Sequence, residues 1–467
     1  MVSTISSAAQ AVRVLFSSAF WLRVMQVFAL LLAGVILGIG EPAVAADAPE
    51  STPAVRNEAW AFHAQFTYVE QEVSGFNAPY AGANSLTSRR AKETTDLTLY
   101  LGARLWSGAE FWINPEIDQG FGLDNTLGVA GFPSGEAYKV GKKQPYLRLQ
   151  RIFVRQTLDL PGEREAIEAE VNQLGGERNF NRWVFTIGKF GVTDIFDVNQ
   201  YAHDPRNDFL NWAAVDAGSF DYAADAWGYT VGAAVEWYQG TWTTRLGVFD
   251  LSKVPNSVRL DPGFHEFQIV AELEKRHTLL DHPGKIMVTL FDSRGRMGLL
   301  DSAVQLALAT AQAVDISAVR QYRSRLGASL NLEQQLSKDL GFFARVGKAA
   351  GNVEAYDFTD IDRSFAAGLS LKGTSWHREH DTMGLAGLVN NISADRQRFF
   401  NAGGLGILVG DGRLPHPGPE KIFETYYNAQ LFSRTQLSFD YQRVEHPAYN
   451  RDRGPASIYA VRFHAQF

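Results

Sequence analysis

The sequence predicts an all-β fold: a 16-stranded antiparallel transmembrane β-barrel with short turns at one end and long loops at the other. Three observations predict it. Apolar and polar residues alternate in stretch after stretch, no apolar run beyond residue 46 is long enough for a membrane helix, and tight turns alternate with long polar connections. A tilted strand of about ten residues is long enough to cross a bilayer.

The first 45 residues have the features of a secretory signal peptide. Arg13 and Arg23 give a positively charged start, residues 27–39 (VFALLLAGVILGI) are apolar, and AVAA at 43–46 offers small residues for cleavage. An uncleaved membrane anchor is the alternative, but the apolar run is short and the small residues follow at the right distance. Residues 46–467 are then expected to form one barrel domain.

Composition excludes several classes of function. The chain carries a net charge of −7 and has no basic run, which argues against a nucleic-acid partner. It contains no cysteine, so disulfides, zinc ribbons and thiol nucleophiles are excluded. Neither a P-loop nor a dinucleotide-binding glycine motif occurs, and no cofactor is predicted. Aromatic residues, at 12% of the chain, are frequent for a soluble protein of this charge.

The stretch 226–238 (AWGYTVGAAVEWY) illustrates the predicted strands. One face begins with Trp227 and Tyr229, continues through Val231 and Val235, and ends with Trp237. Aromatic residues at both ends and aliphatic residues between them suit the two membrane interfaces and the hydrocarbon. The same alternation predicts sixteen strands, near 60–70, 94–105, 108–115, 146–158, 181–190, 226–238, 240–250, 264–274, 284–292, 322–334, 340–348, 363–373, 382–391, 421–431, 435–443 and 456–467.

The connections between these strands alternate in length, as in barrels with short periplasmic turns and long extracellular loops. Residues 159–180 are the one long connection at the periplasmic end, where the other turns are short. Their segment EREAIEAEV (163–171) is predicted to be a small helix. Residues 298–319 are also helical in period, and would lie over the barrel mouth or on a lipid or partner surface. The long loops are 71–93, 114–145, 191–225, 294–321 and 392–420.

The pentapeptide FHAQF occurs at 62–66 and again at 463–467, the last five residues. In a closed barrel the first and last strands are neighbours, and their pairing removes the free edges of the sheet. We therefore expect these two strands to pair, although chance repetition of a short alternating pattern is the alternative.

Three longer segments resemble the carbohydrate-selective porins of the OprB family: 188–213 (GKFGVTDIFDVNQYAHDPRNDFLNWA), 410–428 (GDGRLPHPGPEKIFETYYN) and 448–467 (AYNRDRGPASIYAVRFHAQF). The resemblance implies a sixteen-stranded barrel in the outer membrane of a Gram-negative bacterium, through which sugars diffuse passively. Phe467 resembles the terminal signal read by the barrel-assembly machinery. Outer-membrane lipid is the surrounding partner, and a homotrimer and a monomer both remain open.

Neutral sugars donate and accept hydrogen bonds, so their channel needs charged groups of both signs. Aromatic residues such as Trp112, Tyr201, Trp212 and Tyr426 are candidates to stack on sugars, and we expect 191–213 to fold into the lumen and narrow it. Bracing of the wall is the alternative role for many of these side chains. The candidates for the sugar pathway are Arg104, Glu110, Asp194, Asp197, Tyr201, Asp204, Arg206, Trp212, Glu236, Arg245, Arg325, Arg345, Glu424, Asp440 and Arg462.

Two other functions remain open: a general or anion-selective porin, and a barrel enzyme or adhesin. The first would need an excess of one charge sign in the lumen, whereas the candidates nearly balance. An enzyme would need a catalytic cluster, and His203 beside Asp204 with Ser219 nearby is the nearest approach to one. The pair His377 and His380 could bind a metal, and Asp357, Asp360 and Asp362 could bind calcium. For both sets, ordinary exposed turn or loop residues are the stronger interpretation.

Overall fold

A computed structural model describes residues 57–87, 92–138 and 140–467 of the chain; the predicted signal peptide, 1–45, lies outside them. Sixteen antiparallel strands close into one barrel, and a separate two-stranded hairpin joins two of them. Within the described ranges, no helix has both the length and the apolar character needed to cross a membrane.

The strands are β1 (Trp60–Val73), β2 (Lys92–Trp106), β3 (Ala109–Gly120), β4 (Lys142–Asp159), β5 (Arg164–Ile167), β6 (Gly176–Asn179), β7 (Arg182–Phe190), β8 (Thr230–Gln239), β9 (Trp242–Asp250), β10 (Phe267–Leu279), β11 (His282–Met297), β12 (Gln321–Gln335), β13 (Leu340–Ala349), β14 (Arg363–Gly373), β15 (Arg378–Asn391), β16 (Glu420–Phe432), β17 (Thr435–Glu445) and β18 (Ala456–Gln466). The helices are α1 (Trp212–Val215), α2 (Leu300–Thr310) and α3 (Ala394–Asn401). Short 3₁₀ turns lie at Leu123–Thr126, Val192–Asp194, Ile316–Val319, Thr374–Trp376 and Pro447–Tyr449.

All sixteen predicted barrel strands are present, and their two faces differ as the alternation predicted. Outward residues such as Leu246 are half exposed, while inward neighbours such as Arg245 are buried. The strand predicted from 226 begins only at Thr230. Trp227 and Tyr229 were expected on the outer face, but both are buried, because the Asp225 carboxylate accepts their backbone N–H groups in a turn that ends the alternation.

The prediction of a small helix at 163–171 is wrong. Residues 164–167 form β5, which pairs with β6 in a hairpin. Opposite charges face each other across this hairpin: Arg164 lies 3.0 Å from Glu177, and Arg178 lies 2.8 Å from Glu165. Such cross-strand ion pairs stabilise a hairpin, and their partners lie beyond the segment from which the helix was predicted.

The barrel closes through β1 and β18, as the repeated pentapeptide predicted. Phe66 is opposite Ala465 in the ladder, and Thr67 is opposite His464. The backbone N–H of Phe467 donates to the carbonyl of Ala64 at 2.8 Å, which extends the ladder to the last residue. Because the strands are antiparallel, the two copies of FHAQF run past each other in opposite directions.

Inward aromatic rings lie over glycines of neighbouring strands. A Cβ atom on Gly102 would lie 2.4 Å from the ring of Trp112, and one on Gly384 would lie 2.1 Å from the ring of Tyr426. A ring that covers a strand glycine replaces the side-chain packing that the glycine lacks. Trp112 and Tyr426, expected to stack on sugars, are therefore part of the packed wall.

The helix predicted within 298–319 is present as α2. It buries Ala303 and Ala307 and packs against α3, which the sequence did not predict. The hydroxyl of Ser393 caps α3 by accepting the backbone N–H of Arg396. Leu308, on the opposite side of α2, is 72% exposed.

The channel and its inward loop

The long connection between β7 and β8, residues 191–229, lies inside the barrel. The backbone N–H of Asp197 donates to Glu272 of β10 at 2.8 Å, and that of Leu210 donates to Glu424 of β16 at 2.6 Å. Arg462 of β18 donates to the carbonyl of Asp208 at 2.8 Å. Since β10 lies far from β16 and β18 around the barrel, the connection crosses the lumen, and the expected inward folding of 191–213 is confirmed. We call residues 191–229 the inward loop.

A buried ion pair fixes the first half of the inward loop. Nε of Arg345, on β13, lies 3.2 Å from a carboxylate oxygen of Asp197, and both side chains are shielded from solvent. Asn331 also donates to this carboxylate at 2.7 Å, and Arg345 donates to the carbonyl of Ala214. Asp197 and Arg345 were candidates for the sugar pathway, but their contacts show them bracing the loop against the wall.

Asp221 anchors the second half of the inward loop. Its carboxylate accepts a hydrogen bond from Nη1 of Arg325, on β12, at 3.0 Å, and both side chains are fully buried. It also accepts backbone N–H groups from residues 356–359. A second extracellular connection, 350–362, is thereby drawn onto the inward loop, and Arg325 acts as a brace.

The aspartates considered for calcium have protein partners. Arg396, on α3, donates to Asp362 at 2.9 Å and lies 3.4 Å from Asp360, with all three side chains buried. Within the residues that the structure describes, no group of three or more histidine or carboxylate side chains is arranged to hold a metal ion.

A cavity of about 670 Å³ lies between the inward loop and the wall formed by β4, β7, β8 and β9. Six predicted pathway residues line it: Asp194, Asp204, Arg206, Trp212, Glu236 and Arg245. The other candidates have different contacts. Glu424 and Arg462 hold the inward loop, Asp440 accepts a hydrogen bond from Gln442, and Tyr201 packs on Gly341.

Two further candidates lie near the periplasmic end of the wall. Arg104 donates to the carbonyls of Glu58 and Gly175, at 2.9 and 3.3 Å. Glu110 accepts the indole N–H of Trp112 at 3.0 Å. These contacts are structural, and the cavity lining does not include either candidate.

An irregularity in β4 creates the central pair of the cavity. The register with β3 shifts between Asn114 and Pro115, which leaves Gln150 without a direct partner as the extra residue of a β-bulge. After this bulge the odd-numbered residues of β4 face inward. Arg151 therefore enters the lumen and makes two hydrogen bonds to the Asp194 carboxylate, at 2.7 and 2.6 Å. The sequence analysis missed Arg151, because an alternating pattern does not reveal a change of phase.

A second charged group lies where the inward loop meets the 121–141 connection. Nε of Arg206 is 3.4 Å from Glu136, and Nη1 is 3.7 Å from Asp204. Burial alone would raise the pKa of Asp204, but the neighbouring guanidinium of Arg206 holds it below its usual value. Asp204 is therefore an ionised hydrogen-bond acceptor at neutral pH.

A third charged group lies toward the periplasmic side. Arg245 donates to Glu236, Glu272 and Glu274, at 3.1, 2.7 and 2.9 Å. One guanidinium thus holds three carboxylates of β8 and β10 together. Arg245 lies on the cavity lining, and most of its donors are used by the wall.

Cations cover the faces of several lumen aromatic rings. The guanidinium of Arg148 lies 3.3 Å from the ring centroid of Trp227, and that of Arg182 lies 3.8 Å from the centroid of Tyr238. Trp212 stacks on Phe132 with their centroids 5.2 Å apart. These contacts hold the rings rigidly, since each has one face already packed.

The cavity lining is nearly balanced in charge. Its seven basic residues are Arg151, Arg155, Arg178, Arg182, Arg206, Arg245 and Lys285, and its six acidic residues are Glu136, Glu170, Asp194, Asp204, Asp216 and Glu236. A lumen that selects anions would need a clear excess of positive charge. The lining instead offers donors and acceptors in similar numbers.

The candidate catalytic residues do not form a triad. His203 has Nδ1 3.8 Å from Asp216, while the Ser219 hydroxyl accepts a hydrogen bond from Ser364 at 3.4 Å. Ser219 is part of the inward loop itself and is fully buried.

Comparison with a solved structure supports the barrel fold. The structure of Pseudomonas putida OprB at high pH matches with a TM-score of 0.63 and 14% identity over 88% of this chain and 94% of that chain, which supports the fold. The low-pH structure of the same protein has a TM-score of 0.47 and 12% identity, over 88% and 93% of the two chains. The outer membrane channel DcaP of Acinetobacter baumannii also has a TM-score of 0.47, with 8% identity over 87% and 97%.

No curated protein sequence matches this chain. The family model described as "Carbohydrate-selective porin, OprB family" matches residues 83–467, which is most of the chain. The chain therefore belongs to the OprB family of carbohydrate-selective porins and is a sugar channel of the Gram-negative outer membrane.

Proposed function

We propose that sugars diffuse through the cavity beside the inward loop, and that the charged pairs on its walls bind their hydroxyl groups. The observation that carries this proposal is the Arg151–Asp194 pair. Arg151 belongs to the barrel wall and Asp194 to the inward loop, and both retain some exposure to the lumen, 12% and 30% of their side chains. A guanidinium and a carboxylate side by side present donors and acceptors to vicinal hydroxyls.

The other charged groups extend this route along the lumen. On the proposed path a sugar meets Arg206 and Asp204, then Arg151 and Asp194, and finally Glu236. Each contact exchanges hydrogen bonds with water for hydrogen bonds with protein, so the net gain is small. Weak binding is also required, since conduction needs release as well as entry. We expect dissociation constants on the order of millimolar, or about −4 kcal/mol.

Tyr229 is our candidate for the apolar face of the sugar ring. It lies on the cavity lining, with the Arg151 guanidinium 4.8 Å from its ring centroid. This places an aromatic surface next to the central charged pair. Among the aromatic residues that the sequence suggested, Trp212 also lines the cavity, whereas Tyr201 packs on the wall.

The test is current block in planar bilayers combined with liposome swelling over a panel of sugars. Neutral monosaccharides should permeate and should reduce the ion current at millimolar concentration. Replacing the central pair together, Arg151→Gln with Asp194→Asn, should weaken the block about fivefold, the loss of about 1 kcal/mol of hydrogen bonding. The control Arg164→Gln changes an exposed arginine outside the cavity lining and should leave the block unchanged.

Three results would contradict the proposal. Free passage of ions with no sugar block at any concentration would favour a general porin. A reversal potential that shows strong anion preference would favour the anion-selective alternative, despite the balanced lining. Block that is unaffected by the paired substitution would place the sugar contacts elsewhere in the lumen.

The wider role proposed for the chain is that of a passive channel with no catalytic activity. We further propose that residues 1–45 are a cleaved signal peptide, that the outward apolar faces contact outer-membrane lipid, and that the last strand with Phe467 engages the barrel-assembly machinery. A monomer and a homotrimer are both compatible with this role.

A further inference from the structure

The connection between β4 and β7 is unlike the other periplasmic turns. The turns 107–108, 240–241, 280–281 and 433–434 each contain two residues, whereas 160–181 contains the whole β5–β6 hairpin. A two-residue turn is sufficient to join antiparallel neighbours. The additional residues are therefore not needed to close the barrel, and their position indicates another role. We call residues 164–179 the periplasmic hairpin.

The tip of the periplasmic hairpin enters the lumen. Leu174 is only 1% exposed and belongs to the main buried cluster of the barrel. Residues 170–173 and Arg178 line the same cavity as the inward loop. The hairpin thus forms the lower boundary of the space whose other walls are the inward loop and strands β4, β7 and β8.

Groups from the wall and from the segment just before β1 hold the tip by its backbone. Arg155 donates to the carbonyl of Asn172 at 2.7 Å, and Arg104 donates to the carbonyl of Gly175 at 3.3 Å. The carboxylate of Glu58 accepts the backbone N–H of Gly175 at 2.8 Å. Two charged donors and one charged acceptor on three backbone groups keep the tip in the lumen.

The base of the periplasmic hairpin is also tied to the barrel. Glu165 pairs with Arg178 within the hairpin and with Arg182 at the start of β7, at 2.8 and 3.2 Å. On the other side, Arg164 and Glu177 form a pair whose side chains are 65% and 40% exposed. The hairpin therefore has one face toward the lumen and one toward the periplasm.

We infer that the periplasmic hairpin is a second filter, through which a sugar passes after the inward loop and which sets the upper size limit of the transported sugar. This inference rests on the proposed function, because it assumes that sugars use the same cavity. Glu170, Gln173 and Arg178 provide the donors and acceptors at this exit, and Leu174 keeps the tip packed. The inward loop and the hairpin act in series on anything that moves along the lumen.

The experiment replaces residues 161–180 with the dipeptide Asn-Gly. The backbone N–H of Leu160 already donates to the carbonyl of Asn181 at 2.9 Å, so a two-residue turn can join β4 to β7 at this pair. If the two constrictions have similar resistance, removing one should raise single-channel conductance about twofold. Oligosaccharides too large for the wild-type channel should then enter liposomes, while block by a monosaccharide stays millimolar because the inward loop is intact.

Unchanged conductance together with an unchanged size limit, in a shortened barrel that assembles, would overturn the inference. The wild-type channel is measured alongside with monosaccharides. Absence of sugar block in the wild type would count against the sugar route itself, whereas a rise in ion conductance on shortening depends only on the hairpin. The two failures are thus distinguishable.

A pair of point variants tests the same inference without shortening the chain. Arg178 and Arg164 are both on the hairpin and both pair with a glutamate across it, but only Arg178 lines the cavity. Arg178→Ala should shift the reversal potential toward cations, and Arg164→Ala should not. Equal reversal potentials for the two variants would overturn the inference, and this pair decides the question if the shortened barrel does not assemble.

Discussion

Replacing Arg345 by methionine should release the inward loop from the barrel wall. In the wild type, Nε of Arg345 lies 3.2 Å from the Asp197 carboxylate, and the two side chains are 1% and 0% exposed. Removing one partner of a buried ion pair leaves an uncompensated charge and costs about 3–5 kcal/mol. Asp197 keeps two neutral donors, Asn331 and the backbone N–H of Ala217, both at 2.7 Å. The lower end of the range, about 3 kcal/mol, is therefore expected.

A loss of about 3 kcal/mol raises the population of the detached loop more than a hundredfold. In single-channel recordings Arg345→Met should show frequent transitions to a higher conductance, together with weaker block by sugar. Adding Asp197→Asn removes the stranded charge, and the double variant should recover much of the lost stability, since a buried pair replaced on both sides is often nearly neutral.

The control is Arg398→Met, which breaks a surface pair whose side chains are 53% and 31% exposed and should cost at most about 1 kcal/mol. The reasoning is refuted if Arg345→Met shows no more transitions to the higher conductance than the wild type. It is also refuted if the double variant is no more stable than the single variant. Either result would mean that the charge of Asp197 is not what holds the loop.

Three further predictions follow from the barrel and its loop. Arginine at Leu246, which is outward in the middle of β9 and 51% exposed, should cost about 2–4 kcal/mol in barrel unfolding, whereas Leu246→Phe should cost little; equal costs would contradict the assigned outer face. Cysteines replacing Gln65 and Gln466, which are directly opposite, should form a disulfide, while Gln65 with His464 should not; the reverse result would mean a different closing register. Deleting 197–208 should raise ion conductance and weaken sugar block, and an assembled variant with neither change would place the constriction elsewhere.

The strands were predictable because the wall of a water-filled barrel separates two media. Each strand has an apolar outer face and a polar inner face, so a period of two appears wherever the strand is regular. The prediction failed where a local contact interrupts this pattern. At Trp227 and Tyr229 the carboxylate of Asp225 organises a turn. At 163–171 the acidic and alanine residues favour a helix, but pairing with Arg178 forms a hairpin instead.

The lining of the cavity was only partly predictable, since inward charges serve two purposes. Arg245 and Arg345 look alike in the sequence, both on the inner face of a strand. Arg245 lines the cavity, whereas Arg345 is covered by the inward loop. The two arginines differ only in what they contact. Asp197, which pairs with Arg345, is far from it in the sequence, so the pairing cannot be read from the sequence. Arg151 was missed for another reason, because a bulge moved it to the inner face.

The long reach of the inward loop has a consequence for the order in which the protein matures. The residues that anchor it come much later in the chain. Asp197 pairs with Arg345, Leu210 bonds to Glu424, and Asp208 bonds to Arg462, which is 254 residues later. The loop therefore precedes all of these partners in the chain, and it cannot be anchored until the strands that carry them have folded. The narrow passage is consequently completed only when β16 to β18 are in place, in the same step that closes the barrel through β1 and β18.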